Sequence, residues 1–111
     1  MNQKIICIDI DGVICNTPAN YYKKSKPIKS AIKKINQLYL KGYYIKLFTS
    51  RFMGRNNENV DLAKKQGLLL TKNQLKKWKL KYHKLIMGKP SYDMIIDDKS
   101  LFFKKNWYKY I

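Results

Sequence analysis

The apolar positions of this chain fall in short unbroken runs. They alternate with lysine-rich stretches in which apolar residues recur at helical spacing. Residues 4–10, KIICIDI, form an isoleucine-rich run suited to a central parallel strand buried on both faces. Residues 11–26 read as a loop holding Gly12 and Pro18. Pro27 is placed to open a helix at its first turn. Ile28, Ile32, Ile35 and Tyr39 then share one helical face, and Gly42 is placed to end it. Residues 43–48, YYIKLF, predict a second strand, and 49–59 a polar loop. A short helix is expected over Val60 to Gln66, stopped by Gly67. Thr71 with Gln74 fits a capping box for a further helix through Lys79. Residues 84–87, KLIM, and 94–96, MII, predict two more short strands. The aromatic, basic end from Leu101 to Ile111 reads as a terminal helix or an edge strand. This alternation predicts one α/β domain with a mostly parallel sheet, whose ligands bind beyond the carboxyl ends of the strands.

Composition narrows the class. A chain of 111 residues is enough for one domain with its own core and too short for two. At 45% hydrophobic and 14% aromatic residues, it reads as globular. No apolar run approaches the ~20 residues that span a bilayer. The run from Ile5 to Ile10 is too short for a signal-peptide core. A cytoplasmic protein with no membrane partner is expected, with Cys7 and Cys15 as reduced thiols. The net charge of +17 attracts anions and raises nucleic acid as a partner. However, the lysines are spread along the whole chain, Arg51 and Arg55 are its two arginines, and Asn, Ile, Lys and Tyr dominate. Compositional bias is therefore favoured over a dedicated nucleic-acid surface.

The acids carry more information. Of seven acidic residues, Asp9, Asp11, Asp97 and Asp98 sit at the ends of two apolar runs, while Glu58, Asp61 and Asp93 lie elsewhere. Gathering carboxylates costs repulsion and desolvation, which a hard cation such as magnesium relieves. Either pair alone would be read as strand ends facing water; both pairs in so basic a chain favour a metal site. If the first strand persists, Asp9 and Asp11 leave it on one face. One can then attack phosphorus to form an acyl phosphate while the other handles the proton. Gly12 permits a sharp turn that brings N–H groups near a phosphate. Thr49 and Ser50 follow the second strand, and Lys89 the third; they offer hydroxyls and a cation for phosphate binding.

In this order the residues resemble the haloacid dehalogenase superfamily of phosphatases. The family pattern D-x-D-G-[VT] is met by Asp9-Ile10-Asp11-Gly12-Val13. Leu47-Phe48-Thr49, then Lys89, then Ile95-Ile96-Asp97-Asp98 match the remaining motifs. The resemblance implies a Rossmann-like fold of about five parallel strands, with Asp9 as nucleophile and Asp11 as acid/base. It implies magnesium (Mg2+) held by Asp9, the Asp11 carbonyl and Asp98, with Asp97 in support, and phosphate held by Thr49, Ser50 and Lys89. Neither usual position has room for a cap domain, so a capless single domain over 1–111 is expected. Its open site would be completed by a homo-oligomer neighbour or a large substrate. The stretch YHKLIMGKPSYDMIIDDKS also resembles small phosphatases of capsule and lipopolysaccharide synthesis, implying a phosphorylated sugar or related metabolite.

Other residues have weaker readings. Arg51 is a candidate grip on the distal part of a substrate, and Arg55 a lesser one. His83, the lone histidine, is expected to be structural, and Trp78 and Trp107 to pack. Nucleotide or polynucleotide-end phosphatase is the alternative activity. A non-catalytic basic nucleic-acid-binding module and a phosphorylated receiver domain are the other classes. Receivers fit less well, because their early acids are adjacent rather than D-x-D.

Overall fold

The computed structural model describes residues 4–111. In chain order it contains β1 (Ile5–Ile8), β2 (Cys15–Asn16), β3 (Lys26–Pro27), α1 (Lys29–Leu40), β4 (Tyr44–Thr49), α2 (Val60–Lys77) and β5 (Lys84–Met87). Single 3-10 turns lie at Pro18–Asn20, Tyr22–Lys24, Gly54–Asn56 and Trp107–Lys109. β1, β4 and β5 form a parallel sheet in the order β1-β4-β5, and β2 pairs antiparallel with β3.

The alternation in β4 decides the layering. Ile45, Leu47 and Thr49 are fully buried, while Tyr44, Lys46 and Phe48 point to the opposite face and are half-buried. In register with the buried set stand Ile6, Ile8, Leu85 and Met87. α1 brings Ala31, Ile32, Ile35 and Leu38 to that side, and Leu75 of α2 joins the same cluster. Each such isoleucine or leucine contributes about 1.5–3 kcal/mol over leaving it in water. Trp107 closes the cluster from the C-terminal turn, its indole N–H donating to the Val13 carbonyl at 3.0 Å. The fold is thus a two-layer α/β arrangement, with both α-helices on one face of the sheet. Among the described residues, no helix is long and apolar enough to cross a membrane.

Several elements differ from the sequence expectation. The first helix begins at Lys29, because Pro27 is drawn into the β2–β3 pair opposite Cys15. The two helices expected on either side of Gly67 are one continuous helix. Gly67 does not end it; it makes room for a ring, since a Cβ there would stand 2.3 Å from Phe52 Cδ2. Thr71 accordingly lies within α2 rather than capping a new helix. The sheet has three parallel strands among the described residues, not about five. Residues 94–96 do not form a strand: Met94 is 78% exposed and Ile96 91%. That apolar run is three residues long. It is followed at once by a turn in which Asp97 Oδ1 accepts from Lys99 N and the Asp97 carbonyl from Ser100 Oγ, both at 2.9 Å. The terminal segment is a 3-10 turn rather than a longer helix or an edge strand.

Candidate active site

β1 ends at Ile8, so Asp9 is the first residue beyond its carboxyl end. Its Oδ1 accepts from the Ile10 N–H at 2.7 Å, and its Oδ2 lies 3.1 Å from Lys89 Nζ. The carboxylate remains 31% exposed, whereas the Lys89 side chain is 13% exposed. Lys89 is fixed at its backbone as well: its N–H donates to the Thr49 carbonyl at 3.0 Å, continuing the β4–β5 pairing past the end of β5. Burial opposes the charge on Lys89. Side-chain bonds with Tyr92 and Asp9 outweigh that and hold its ammonium above the ordinary value. A cation is thus kept beside a solvent-reachable carboxylate at the carboxyl ends of three parallel strands, where ligands of such sheets bind. Thr49 is fully buried and its Oγ1 accepts from the Arg51 N–H at 3.1 Å, so this hydroxyl is already engaged with the chain. Ser50 is half-buried beside it, its carbonyl accepting from Met53 N at 3.0 Å.

Asp11 has a different environment. Gly12 adopts φ +81° and Ile14 N donates to the Ile10 carbonyl at 2.8 Å, so the chain turns before Asp11 can share a strand face with Asp9. Asp11 instead meets Arg51. Nε of Arg51 donates to Oδ2 and Nη2 to Oδ1, each at 2.9 Å, a bidentate pair. Oδ1 also accepts from Thr17 Oγ1. Arg51 is 1% exposed, and this overturns its expected role as a grip on substrate. Its remaining donors go to Thr71 Oγ1 at 3.3 Å, Gln74 Oε1 and Ser25 Oγ at 3.2 Å, and the guanidinium stands 5.0 Å from the Tyr22 ring centroid. Burial and the neighbouring Asp11 push the Cys15 thiol up to about 11, keeping it neutral inside this network. Sequence reasoning missed the clamp. The available signal was an arginine directly after an apolar strand in a chain whose other cations are almost all lysine.

The acids assigned to magnesium do not gather. Asp97 and Asp98 are exposed, and the bonds of Asp97 are made locally to Lys99 and Ser100. Among the described residues, no group of three or more His, Cys, Asp or Glu side chains is disposed to hold a metal ion. Asp9 faces a lysine, and Arg51 holds the Asp11 carboxylate, leaving its backbone carbonyl as the ligand expected there. As placed, the side chains expected to hold magnesium are not gathered into one cluster.

No protein-family model and no curated protein matches the sequence. The fold is similar to that of a Vibrio cholerae protein whose crystal structure is titled only as a structural-genomics target. The TM-score is 0.87 at 22% identity, covering 98% of this chain and 89% of that one. This likeness supports the α/β fold.

Proposed function

We propose that the chain is a phosphomonoester hydrolase of the haloacid dehalogenase type, acting through an aspartyl-phosphate on Asp9. The reading is carried by one observation: the accessible Asp9 carboxylate with Lys89 Nζ 3.1 Å away, beyond the strand ends. The lysine draws the phosphoryl group in and neutralises charge that builds on it. An Asp9 oxygen bonds to phosphorus as the ester P–O bond breaks and the leaving oxygen takes a proton. Water then attacks the acyl phosphate, gives up a proton and frees inorganic phosphate, regenerating Asp9. Asp11 is the acid/base in this proposal. Its oxygens are engaged by Arg51 and Thr17, so it must turn partly out of that grip to reach a substrate.

The substrate class proposed is a small phosphorylated sugar or related metabolite. A nucleotide or polynucleotide end is the second reading, favoured by the lysines Lys46 and Lys84 on the helix-free sheet face that runs toward Asp9. The test is phosphate release from sugar phosphates, nucleotides and 3′-phosphorylated oligonucleotides, with and without magnesium. Wild-type protein is expected to turn over at least one class, and Asp9→Asn to lose at least about 10³-fold. An unchanged rate in Asp9→Asn would end the proposal. Magnesium dependence would place the ion at Asp9 and the Asp11 carbonyl, with water filling the rest of its shell.

A further inference from the structure

Parallel sheets are normally covered on both faces; here both α-helices lie on one. The other face presents Ile5 and Cys7 from β1, Tyr44, Lys46 and Phe48 from β4, and Lys84 and Ile86 from β5. Ile5 is 60% exposed, Cys7 and Lys84 are exposed, and Tyr44, Lys46, Phe48 and Ile86 are half-buried. Ile5, Tyr44, Lys46 and Lys84 line a shallow depression of about 350 Å³. Lys46 and Lys84 are direct cross-strand partners. Like charges so placed repel, and among the described residues the ion pairs, Arg51–Asp11 and Lys89–Asp9, leave both lysines without an acid. Tyr44 and Phe48 flank Lys46 on one face of β4, about 13 Å apart along the strand. The Tyr44 ring is braced by His83, stacked at 4.5 Å.

We propose that this open sheet face binds single-stranded nucleic acid. Alternating rings and lysines match a chain of alternating bases and phosphates: Tyr44 and Phe48 offer stacking planes, and Lys46 and Lys84 the counter-charge. A second copy of the protein is disfavoured as occupant. It would press two unpaired lysine pairs together between bodies of +17 charge. The face also continues toward the proposed site, since Lys46, Lys89 and Asp9 all act electrostatically on the Cys7 thiol. The inference does not depend on phosphatase activity, because binding is measured directly.

The experiment is fluorescence-anisotropy binding of a labelled dT oligomer, an equivalent RNA and a duplex, over a range of salt. The wild-type chain is expected to bind single strands with a Kd of about 1–100 μM and to prefer them to duplex. Lys46→Glu/Lys84→Glu is expected to weaken binding at least about tenfold and to flatten the salt slope by about 1–2. Lys64→Glu/Lys65→Glu, the same charge change on exposed positions of α2, is expected to do much less. Tyr44→Leu is expected to cost about tenfold with the salt slope unchanged. Thermal melting of each variant shows that it is folded. Equal losses from the two lysine pairs would overturn the proposal in favour of an undirected field. So would equal affinity for duplex, an absence of binding at low salt, or a dimer that Lys46→Glu/Lys84→Glu disperses.

Discussion

Asp9 and Asp11 are the same residue type two positions apart and nearly equally exposed, at 31% and 28% of the side chain, yet their oxygens meet different partners. Asp9 is solvent-reachable, faces a single lysine, and owes its position to the end of β1. Asp11 is held bidentately by an arginine that is itself 1% exposed and tied to Thr71 and Gln74 of α2. The sequence motif treats the two as a pair. The structure sets Asp9 against Lys89 alone, whereas Asp11 also ties the first loop to the segment after β4 and, through Arg51, to α2. The lesson is that a carboxylate's role follows from what occupies its oxygens, not from its place in a motif.

The sharpest contrast is in stability. Asp11→Asn strands a fully buried guanidinium and is expected to cost about 3–5 kcal/mol in urea unfolding. Asp9→Asn, at a partly exposed pair, is expected to cost no more than about 1 kcal/mol. Equal costs would break the comparison. Next in size is an alkaline effect on the Asp11 side. Cys15 releases its proton near 9.0 when unfolded but at about 11 when folded. Above pH 9 the unfolded state therefore binds fewer protons than the native state, and stability falls as pH rises toward about 11. The loss from this thiol is about 2–3 kcal/mol, so a Cys15→Ala variant should lose less stability than wild type over that window. Gly67→Ala is expected to destabilise by about 1–3 kcal/mol despite alanine's better helix propensity, because its Cβ meets the Phe52 ring at 2.3 Å. On the Asp9 side, Lys89→Met is expected to change stability by about 1 kcal/mol or less. It should lower phosphate release about 10–100-fold, a split that no Asp11-side variant should reproduce.

Much of the fold could be read from local pattern. β1, β4 and β5 follow from isoleucine-rich or alternating runs, and α1 from its spaced isoleucines ending before Gly42. The features that could not be read are tertiary. Gly67 is a helix breaker by propensity, yet it is retained inside α2 where Phe52 approaches. Asp11 and Arg51 are forty residues apart, so their pairing has no local signature. Residues 94–96 have as many apolar positions as β5, but the turn at Asp97 ends the run at once and Met94 and Ile96 stay exposed. Of the candidate site, the order Asp9, Thr49, Lys89 was legible because each stands at or just past a strand's carboxyl end; Thr49, expected just after the second strand, is the last residue of β4, and the structure brings all three to the same end of the sheet. Asp97 and Asp98 followed a strand that did not form.

The central claim is that the Asp9 carboxylate carries a phosphoryl group. Rapid acid quench during turnover of a reactive phosphomonoester, followed by peptide mass analysis, tests it directly. A phosphate adduct on the peptide containing Asp9, absent from Asp9→Asn and retained in Lys89→Met at lower yield, is the predicted result. Turnover with the adduct on another residue, or with none at any quench time, would contradict it.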